Sequence, residues 1–508
     1  MSTQMIGQKT SFTLKHLGFI GLFIFFWILL RIPSLLHSTT PLNADVAVQL
    51  MMVLDWDNTG WTKFMWGSNY LGTLESLWNV LWFKILPPQM PYFWLPTALL
   101  SLACDLLFLH IASKILSFKA LCILFIFLVL LPTQFLSPQI EPNLSYTTLA
   151  LFSFLAILSR SSFLRGFLLG IAFYVQPISV YFTLPIFIYT GIRLGKKELL
   201  KLTLGFLPPF LFTILPIAGP ALDLRILFGW GGERHVWGAI QLTATTFLSF
   251  LGFLFKENTF FSPPLIFILM SYSIFIFLIT SLIKRKIFFE TKLGNLPETD
   301  RLFVVVMNFG ILVIPVLFFL RKYGTFDTGA ARYLWLWHFS IYFFTAYLLG
   351  AFLEEGKNIK KIFVYLLLGL FIYSSLFTRW SLWKEPDHDM IFKNTIQYLR
   401  DKHINGIVGD YWSVYPISFF TFQEEDPIKS LPIIGGKRIS KWITPVSTLP
   451  RVAYVCFNNT RCSKDKNPPK HLSIWLSNFI TDQAEQKMVF QGPNQEMIVQ
   501  IYEKDFDF

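Results

Sequence analysis

The chain has 508 residues, with 43 Lys and Arg against 31 Asp and Glu and a formal net charge of +12. Hydrophobic residues make up 54% and charged residues only 15%, where soluble proteins carry about 25% charged. This excludes an ordinary soluble enzyme, and 56 Phe exclude a disordered chain. The positive balance needs no nucleic-acid partner, because basic loops on one side of a membrane account for it.

Crossing a bilayer as a helix takes about 20 mostly apolar residues. Eleven such segments follow in chain order, near 17–36, 93–113, 120–136, 145–159, 163–176, 178–192, 202–219, 263–283, 302–320, 333–353 and 362–378. The first is long and leads straight into others with no small-residue cleavage site, so it reads as an anchor, not a leader. Gln176 and Pro177 interrupt the fifth and sixth. That junction reads either as a shallow hairpin or as one long kinked helix. The chain is therefore expected to be a polytopic α-helical membrane protein of about eleven transmembrane helices. The membrane region covers 1–379, including a first outer loop at 37–92. A small α/β domain at 380–508 follows it.

Lys and Arg set the orientation. With the N-terminus inside, the cytoplasmic segments carry 18 of them and the longer outer loops between spans carry 8. The bias places the N-terminus in the cytoplasm and both 37–92 and the C-terminal domain outside. Loop 220–262 falls on the outer side too. The expected location is a bacterial-type inner membrane.

Four cysteines do not make a disulfide framework. Cys104 and Cys122 fall within spans and read as packing residues. Cys456 and Cys462 bracket Phe-Asn-Asn-Thr-Arg in the outer domain, where a disulfide can persist. A P-loop, an HExxH pair and a GxSxG elbow are all missing from the sequence, which counts against an ATP-driven pump and a serine hydrolase.

The first outer loop is the richest in chemistry. It opens Pro41-Leu-Asn-Ala-Asp45-Val-Ala-Val-Gln-Leu-Met-Met-Val-Leu-Asp55-Trp-Asp57. Val46, Gln49, Leu50 and Val53 share one helical face, which suggests an amphipathic helix lying along the interface. Asp45 stands near its start, either as a catalytic acid or, with Asn43, as a helix cap. Asp55 and Asp57 read as solvated carboxylates. Further on, Gly67-Ser-Asn-Tyr-Leu-Gly-Thr-Leu-Glu75 combines two glycines that permit close backbone approach with Tyr70 and Glu75, which offer hydrogen bonds to a polar ligand.

These strings resemble the GT-C class of membrane glycosyltransferases, in particular the branch of protein mannosyltransferases and lipid A aminoarabinose transferases. That branch has an acidic residue, often Asp-Glu, early in the first outer loop and a Gly-Gln-x-Tyr-x-Gly-Thr-Leu-Glu-like string after it. Here Ala44-Asp45 stands at the acidic pair and Ser68 replaces the Gln. The likeness continues in Gly166-Phe-Leu-Leu-Gly-Ile-Ala-Phe-Tyr-Val-Gln-Pro177, in Ala331-Arg332-Tyr333-Leu334 at the mouth of a span, and in Asp410-Tyr-Trp-Ser-Val-Tyr415 at the start of the soluble tail. It implies a sugar donor carried on a polyprenyl phosphate and transfer on the outer side of the membrane. The acceptor would be a lipid, a glycan or a protein. No cofactor is firmly implied, and a divalent metal stays open.

The chemistry of such a transfer agrees with the residue types. A carboxylate at the interface can take a proton from the acceptor hydroxyl as it attacks the anomeric carbon. Asp45 is the expected base. The leaving group is a lipid phosphate, and cations stabilise its growing charge. Arg332, with Lys322 and the Tyr333 hydroxyl, is the expected phosphate binder, although an isolated Arg at a span end is often only a membrane anchor. Glu141, in the short outer loop 137–143, reads either as a substrate-binding group or as a plain loop carboxylate. Glu233, Arg234 and His235 follow Gly-Trp-Gly-Gly and suit a mobile gate. Asp105, His110 and His338 lie in spans and are expected to pair inside the bundle.

The tail is expected to hold strands at 405–408 and 451–457, a helix at 471–480 and a hairpin within 488–502 around Gly492-Pro-Asn. Trp412 and Tyr415 suit either sugar stacking or a core. The reading that competes with a glycosyltransferase is a transporter or flippase of lipid-linked glycans. That function favours polar groups at the membrane midplane and inverted repeats, whereas the candidate groups here cluster outside.

Overall fold

The structure, a computed structural model, describes residues 14–36, 42–68, 70–87, 92–142, 145–222, 233–253, 263–284, 296–320, 334–355, 358–382, 384, 389–434, 439, 442, 446, 448–457, 486–491 and 496–503. They form two compact units. One joins Met1–Ile32 to Leu95–Ser381, and the other joins Pro33–Trp94 to Leu382–Phe508. The segment expected as the first outer loop therefore folds together with the C-terminal segment.

The first unit is helical. Among the described residues, five helical stretches are long and apolar enough to cross a membrane: Leu95–Ser113, Pro177–Leu194, Leu265–Lys284, Glu298–Val316 and Asn358–Trp380. Shorter apolar helices accompany them, including Gly18–Leu29, Phe118–Val129, Tyr146–Leu158 and Ser162–Val175. Ser117 and Ser161 cap two of these, their side chains accepting from Ala120 N and Leu164 N. The Ser162–Val175 helix stops at Gln176, whose backbone is extended (φ −158°, ψ 118°), and Pro177 restarts the chain in a 3₁₀ turn. Proline forces this break because it disfavours helix in the residue before it. Ser162–Val175 packs along Lys196–Ile214, and glycine sets the closeness. A Cβ on Gly166 would lie 2.0 Å from the Leu202 carbonyl oxygen, and one on Gly205 would lie 2.0 Å from that of Phe163.

Loop 220–262 departs from the sequence reading. It contains an 18-residue helix, Glu233–Phe250. Thr243, Thr245, Thr246 and Ser249 on this helix are buried. It packs on Leu265–Lys284, where Ser271 donates to the Ala244 carbonyl at 3.0 Å. Its polar composition hides it from a hydropathy reading: Thr245 spends its hydroxyl on the Gln241 carbonyl at 3.1 Å, while Thr243, Thr246 and Ser249 are buried with no hydrogen-bond partner among the described residues.

The second unit holds a five-stranded sheet with strands in the order β2-β1-β3-β5-β4. The strands are β1 Gly406–Asp410, β2 Lys429–Ile434, β3 Arg451–Phe457, β4 Gln486–Gln491 and β5 Glu496–Glu503. β1 runs parallel to both β2 and β3, and β5 runs antiparallel to β3 and β4. β1 is buried throughout, as a central parallel strand covered on both faces should be. Gly409 is required there: a Cβ would lie 1.9 Å from the Val455 carbonyl oxygen. The strands at 405–408 and 451–457 and the hairpin agree with expectation. β2 was not expected; Pro432 sits in it, which an edge strand tolerates. The expected helix at 471–480 lies outside the described residues. Cys456, buried in β3, is disulfide-bonded; Cys462 lies outside the described residues. Cys104 and Cys122 are free.

Candidate active site

The segment expected as the first outer loop folds into a helix where the sequence places one, at Ala44–Leu54. It is not an interfacial helix with a wet face, because every residue from Ala44 to Val53 is buried. The cap is Asn43: its backbone is extended and its side-chain oxygen accepts from Asp45 N at 2.8 Å. That leaves the Asp45 carboxylate for other work. Its Oδ1 accepts a hydrogen bond from the Tyr411 hydroxyl at 2.5 Å, across 366 residues of sequence. Asp45 is 7% exposed and Tyr411 5%. One more long-range tie holds this helix start, with Leu42 N donating to Asp389 Oδ1 at 3.0 Å.

At the far end of the helix, Asp55 is its C-cap, buried, and accepts from Asn58 Nδ2 at 3.1 Å. This corrects the expectation of a solvated carboxylate there; Asp57 alone is exposed.

The glycine-containing string forms a tight reversal. Phe64 bridges Gly72 and Met65 N donates to Leu71 O at 2.9 Å. Gly67 takes φ +64°, a conformation glycine adopts without strain. Ser68, where the resembling family has Gln, is structural: its Oγ accepts from Tyr70 N and Leu71 N, both at 3.3 Å. Tyr70 is half-buried beside it. The reversal delivers the chain into the Leu74–Phe83 helix, with Glu75 in its first turn, where the helix dipole favours a negative charge. Glu75 is 1% exposed, and Ser76 and Asn79 are buried with it. Glu75 and Asn79, four residues apart, lie on one helix face.

The Tyr411 side is built by β1. The Gly409–Asp410 step carries a register shift against β2, which turns the chain out of the strand into the Tyr411–Thr421 helix. Asp410 caps that helix, accepting from Trp412 N at 3.1 Å. Burial pushes the Asp410 carboxyl up to about 6, against the pull of backbone hydrogen bonds from Trp412 and Tyr411. Tyr415 is core, its hydroxyl accepting from Ile439 N, while Trp412 is 42% exposed.

The structure thus brings Asp45, Tyr70 and Glu75 into one unit. Glu141 is half-buried and belongs to the other unit. Lys322, Arg332 and Tyr333 lie outside the described residues. Sequence reasoning missed Tyr411 as the partner of Asp45. The string 410–415 stands out in the sequence, but nothing local marks which of its residues reaches back to Asp45.

Also unforeseen was a polar network inside the helical unit. Asp105 Oδ2 accepts from Trp27 Nε1 at 2.8 Å and from Gln139 Nε2 at 3.2 Å. Gln139 Oε1 in turn accepts from Arg31 Nε at 3.0 Å and Nη2 at 2.5 Å. The rest of the Arg31 fork reaches the carbonyls of Trp27, Leu128 and Val129. Arg379 donates to the carbonyls of Leu30, Val129 and Leu131. Asp105 and His338 are inside the bundle, as expected; His110 is exposed.

No family model matches the chain, and no curated protein matches it by sequence. Solved structures do match. ArnT from Cupriavidus metallidurans in the apo state superposes with a TM-score of 0.56 at 9% identity, over 96% of this chain and 98% of that one. The same protein bound to undecaprenyl phosphate gives 0.54 at 9% identity with the same coverage. The chain therefore shares the fold of ArnT along nearly the whole length of both proteins.

Proposed function

We propose that this chain is a membrane glycosyltransferase that moves a sugar from a polyprenyl-phosphate donor to a lipid, glycan or protein acceptor on the outer side of the membrane. The observation that carries the reading is Asp45: a buried carboxylate at a capped helix start in the first outer loop, in a chain with the fold of ArnT. The neighbour bound to undecaprenyl phosphate supports a donor of that lipid class.

In the proposed reaction Asp45 accepts the proton of the acceptor hydroxyl. The acceptor oxygen bonds to the anomeric carbon while the bond from that carbon to the lipid-phosphate oxygen breaks. The electron pair leaves on the phosphate, where Arg332, with Lys322 and the Tyr333 hydroxyl, stabilises it. Tyr70, Glu75 and Glu141 are assigned to substrate binding. The outer location rests on the cation bias, and labelling introduced cysteines near Asn58 and Lys466 in spheroplasts tests it: protection of both reverses the orientation.

The deciding experiment measures transfer from purified polyprenyl-phosphate sugars in nanodiscs. Arg332→Lys keeps the charge but loses the planar fork that matches phosphate. It should lower turnover as well as donor affinity, and Arg332→Ala more so. Native kinetics in both variants remove Arg332 from the site and undercut the lipid-phosphate donor.

A further inference from the structure

We infer that Tyr411 is a positioning residue for the Asp45 carboxylate, so that the C-terminal α/β segment is a working part of the proton-accepting site and not a cap on it. The inference rests on the reading of Asp45 as general base.

The terminal torsion of an aspartate is soft, so a lone carboxylate at a helix start samples many orientations. Here one oxygen is pinned by a hydroxyl at 2.5 Å, in the range of charge-assisted O–H···O⁻ bonds. The pin is itself held. The Tyr411 ring meets Trp412 and Tyr415 edge-on, with centroids 5.0 and 5.1 Å away. Its backbone is set by the Asp410 cap, and the preceding Gly409 lies tight against β3. Ser413, two residues on, donates to Val455 O at 3.3 Å and fastens the same turn to β3. Asp389 holds Leu42 N on the other side of the helix start. A rigid path thus runs from the sheet through Tyr411 to Asp45, the kind of support that holds a reacting group in productive geometry.

The elements packed against the Ala44–Leu54 helix carry other ionisable groups. Among the described residues these include Tyr415 on Tyr411–Thr421, Glu75 on Leu74–Phe83 and Asp57 on Trp56–Thr59, with Asp55 at the end of the helix itself and Asp389 and Asp410 in the same unit. All stay unchanged in the variants that follow, so a displaced pH profile reports on the phenol.

The test uses the full chain in nanodiscs and a panel of radiolabelled polyprenyl-phosphate sugars, with membrane lipid extract as acceptor. Tyr411→Phe keeps the ring and deletes the hydroxyl. Turnover should fall about tenfold, a loss in keeping with one charge-assisted hydrogen bond, while donor KM stays within about twofold. The acid limb of the rate profile should move to higher pH, because a donor to the charged form is gone. In the double variant with Asp45→Asn the two losses should not multiply, since both act on one group. Replacing Tyr411 with 3,5-difluorotyrosine keeps the shape and strengthens the donor. It should move the acid limb the opposite way, and it serves if the Phe variant folds poorly. Native turnover and an unmoved limb in Tyr411→Phe, or an unmoved limb with difluorotyrosine, overturn the inference. So does full multiplication of the losses. Native turnover in Asp45→Asn is a different result, because it removes the base itself.

Discussion

Two buried aspartates, one in each unit, show how the same residue type serves different ends. Asp105 lies within a span, and its carboxylate is shared between an indole and an amide, with Arg31 behind that amide. Arg31 and Arg379 end on backbone carbonyls at the C-terminal ends of Leu14–Leu29 and Phe118–Val129. These carbonyls lack intrahelical partners, and in a membrane water cannot replace them. The network closes helix ends, so its charges are structural. Asp45 stands at a helix start that already has its cap, and it accepts from the Tyr411 phenol. A hydroxyl donor there orients the carboxylate and closes no helix end.

The sharpest way to break this comparison is to neutralise each acid in turn. Asp45→Asn should lower turnover by about 10²–10⁴, the usual share of general base catalysis, with the protein still folded. Asp105→Asn keeps an acceptor for the Trp27 indole and should leave turnover per folded molecule within about twofold while lowering the thermal midpoint. Transfer assays and melting curves on the same preparations separate the two. Equal activity losses would mean that Asp105 also serves catalysis, and the contrast would fail.

Arg31 offers the next largest effect. Arg31→Leu leaves Gln139 and the Trp27, Leu128 and Val129 carbonyls without their donors. Removing one member of a buried charged network costs on the order of 3–5 kcal/mol. The expected outcome is a large fall in the thermal midpoint in detergent, with donor KM unchanged for the surviving folded fraction. A selective loss of donor binding in a stable Arg31 variant would instead make this guanidinium a phosphate ligand.

How much of this was legible follows from where the information sits. Apolar runs are local, so most membrane helices, β3 and the β4–β5 hairpin can be read from the chain. The Glu233–Phe250 helix cannot, because its buried Thr243, Thr245, Thr246 and Ser249 depress its hydropathy without exposing it. At the site, Asp45 and the Gly67–Glu75 reversal are readable from residue types at short spacing. Tyr411 is not, since its partner lies 366 positions away and three neighbouring aromatics, at 411, 412 and 415, look alike in sequence. Burial sets the exposed Trp412 apart, and hydrogen bonding separates the two buried tyrosines: Tyr415 accepts from Ile439 N, and Tyr411 donates to an acid.

Asp410 sharpens the comparison through pH. Its folded-state value of about 6 lies above the ordinary 3.8, because burial disfavours the charged form. The native state therefore binds this proton more tightly than the unfolded chain does. The resulting stabilisation is complete below about pH 4 and is lost as pH rises through about 6. Its full size is at most about 3 kcal/mol. Asp410→Asn retains a good cap and removes the titration. Melting curves of the variant should be flatter than native between pH 4 and 7, with the variant the more stable at pH 7. Parallel curves for the two proteins would show that Asp410 does not titrate in this range.

The smallest effect expected concerns Ser68, the position where the resembling family carries Gln. Its hydroxyl oxygen accepts two backbone N–H groups within the reversal that leads to Glu75. Ser68→Ala deletes both bonds from a buried site and should cost about 1 kcal/mol, the typical net worth of such bonds where water partly replaces them. If the role is confined to the turn, donor KM rises modestly through misplacement of Tyr70 and Glu75 while turnover at saturation is kept. Ser68→Gln distinguishes a turn role from a ligand role. The longer side chain cannot accept from Tyr70 N and Leu71 N in the same tight geometry, so the variant should melt lower than native. If Ser68→Gln instead melts as native and turns over faster, the serine is a weakened substrate contact and the reversal needs no cap. Steady-state kinetics beside a melting curve decide between them.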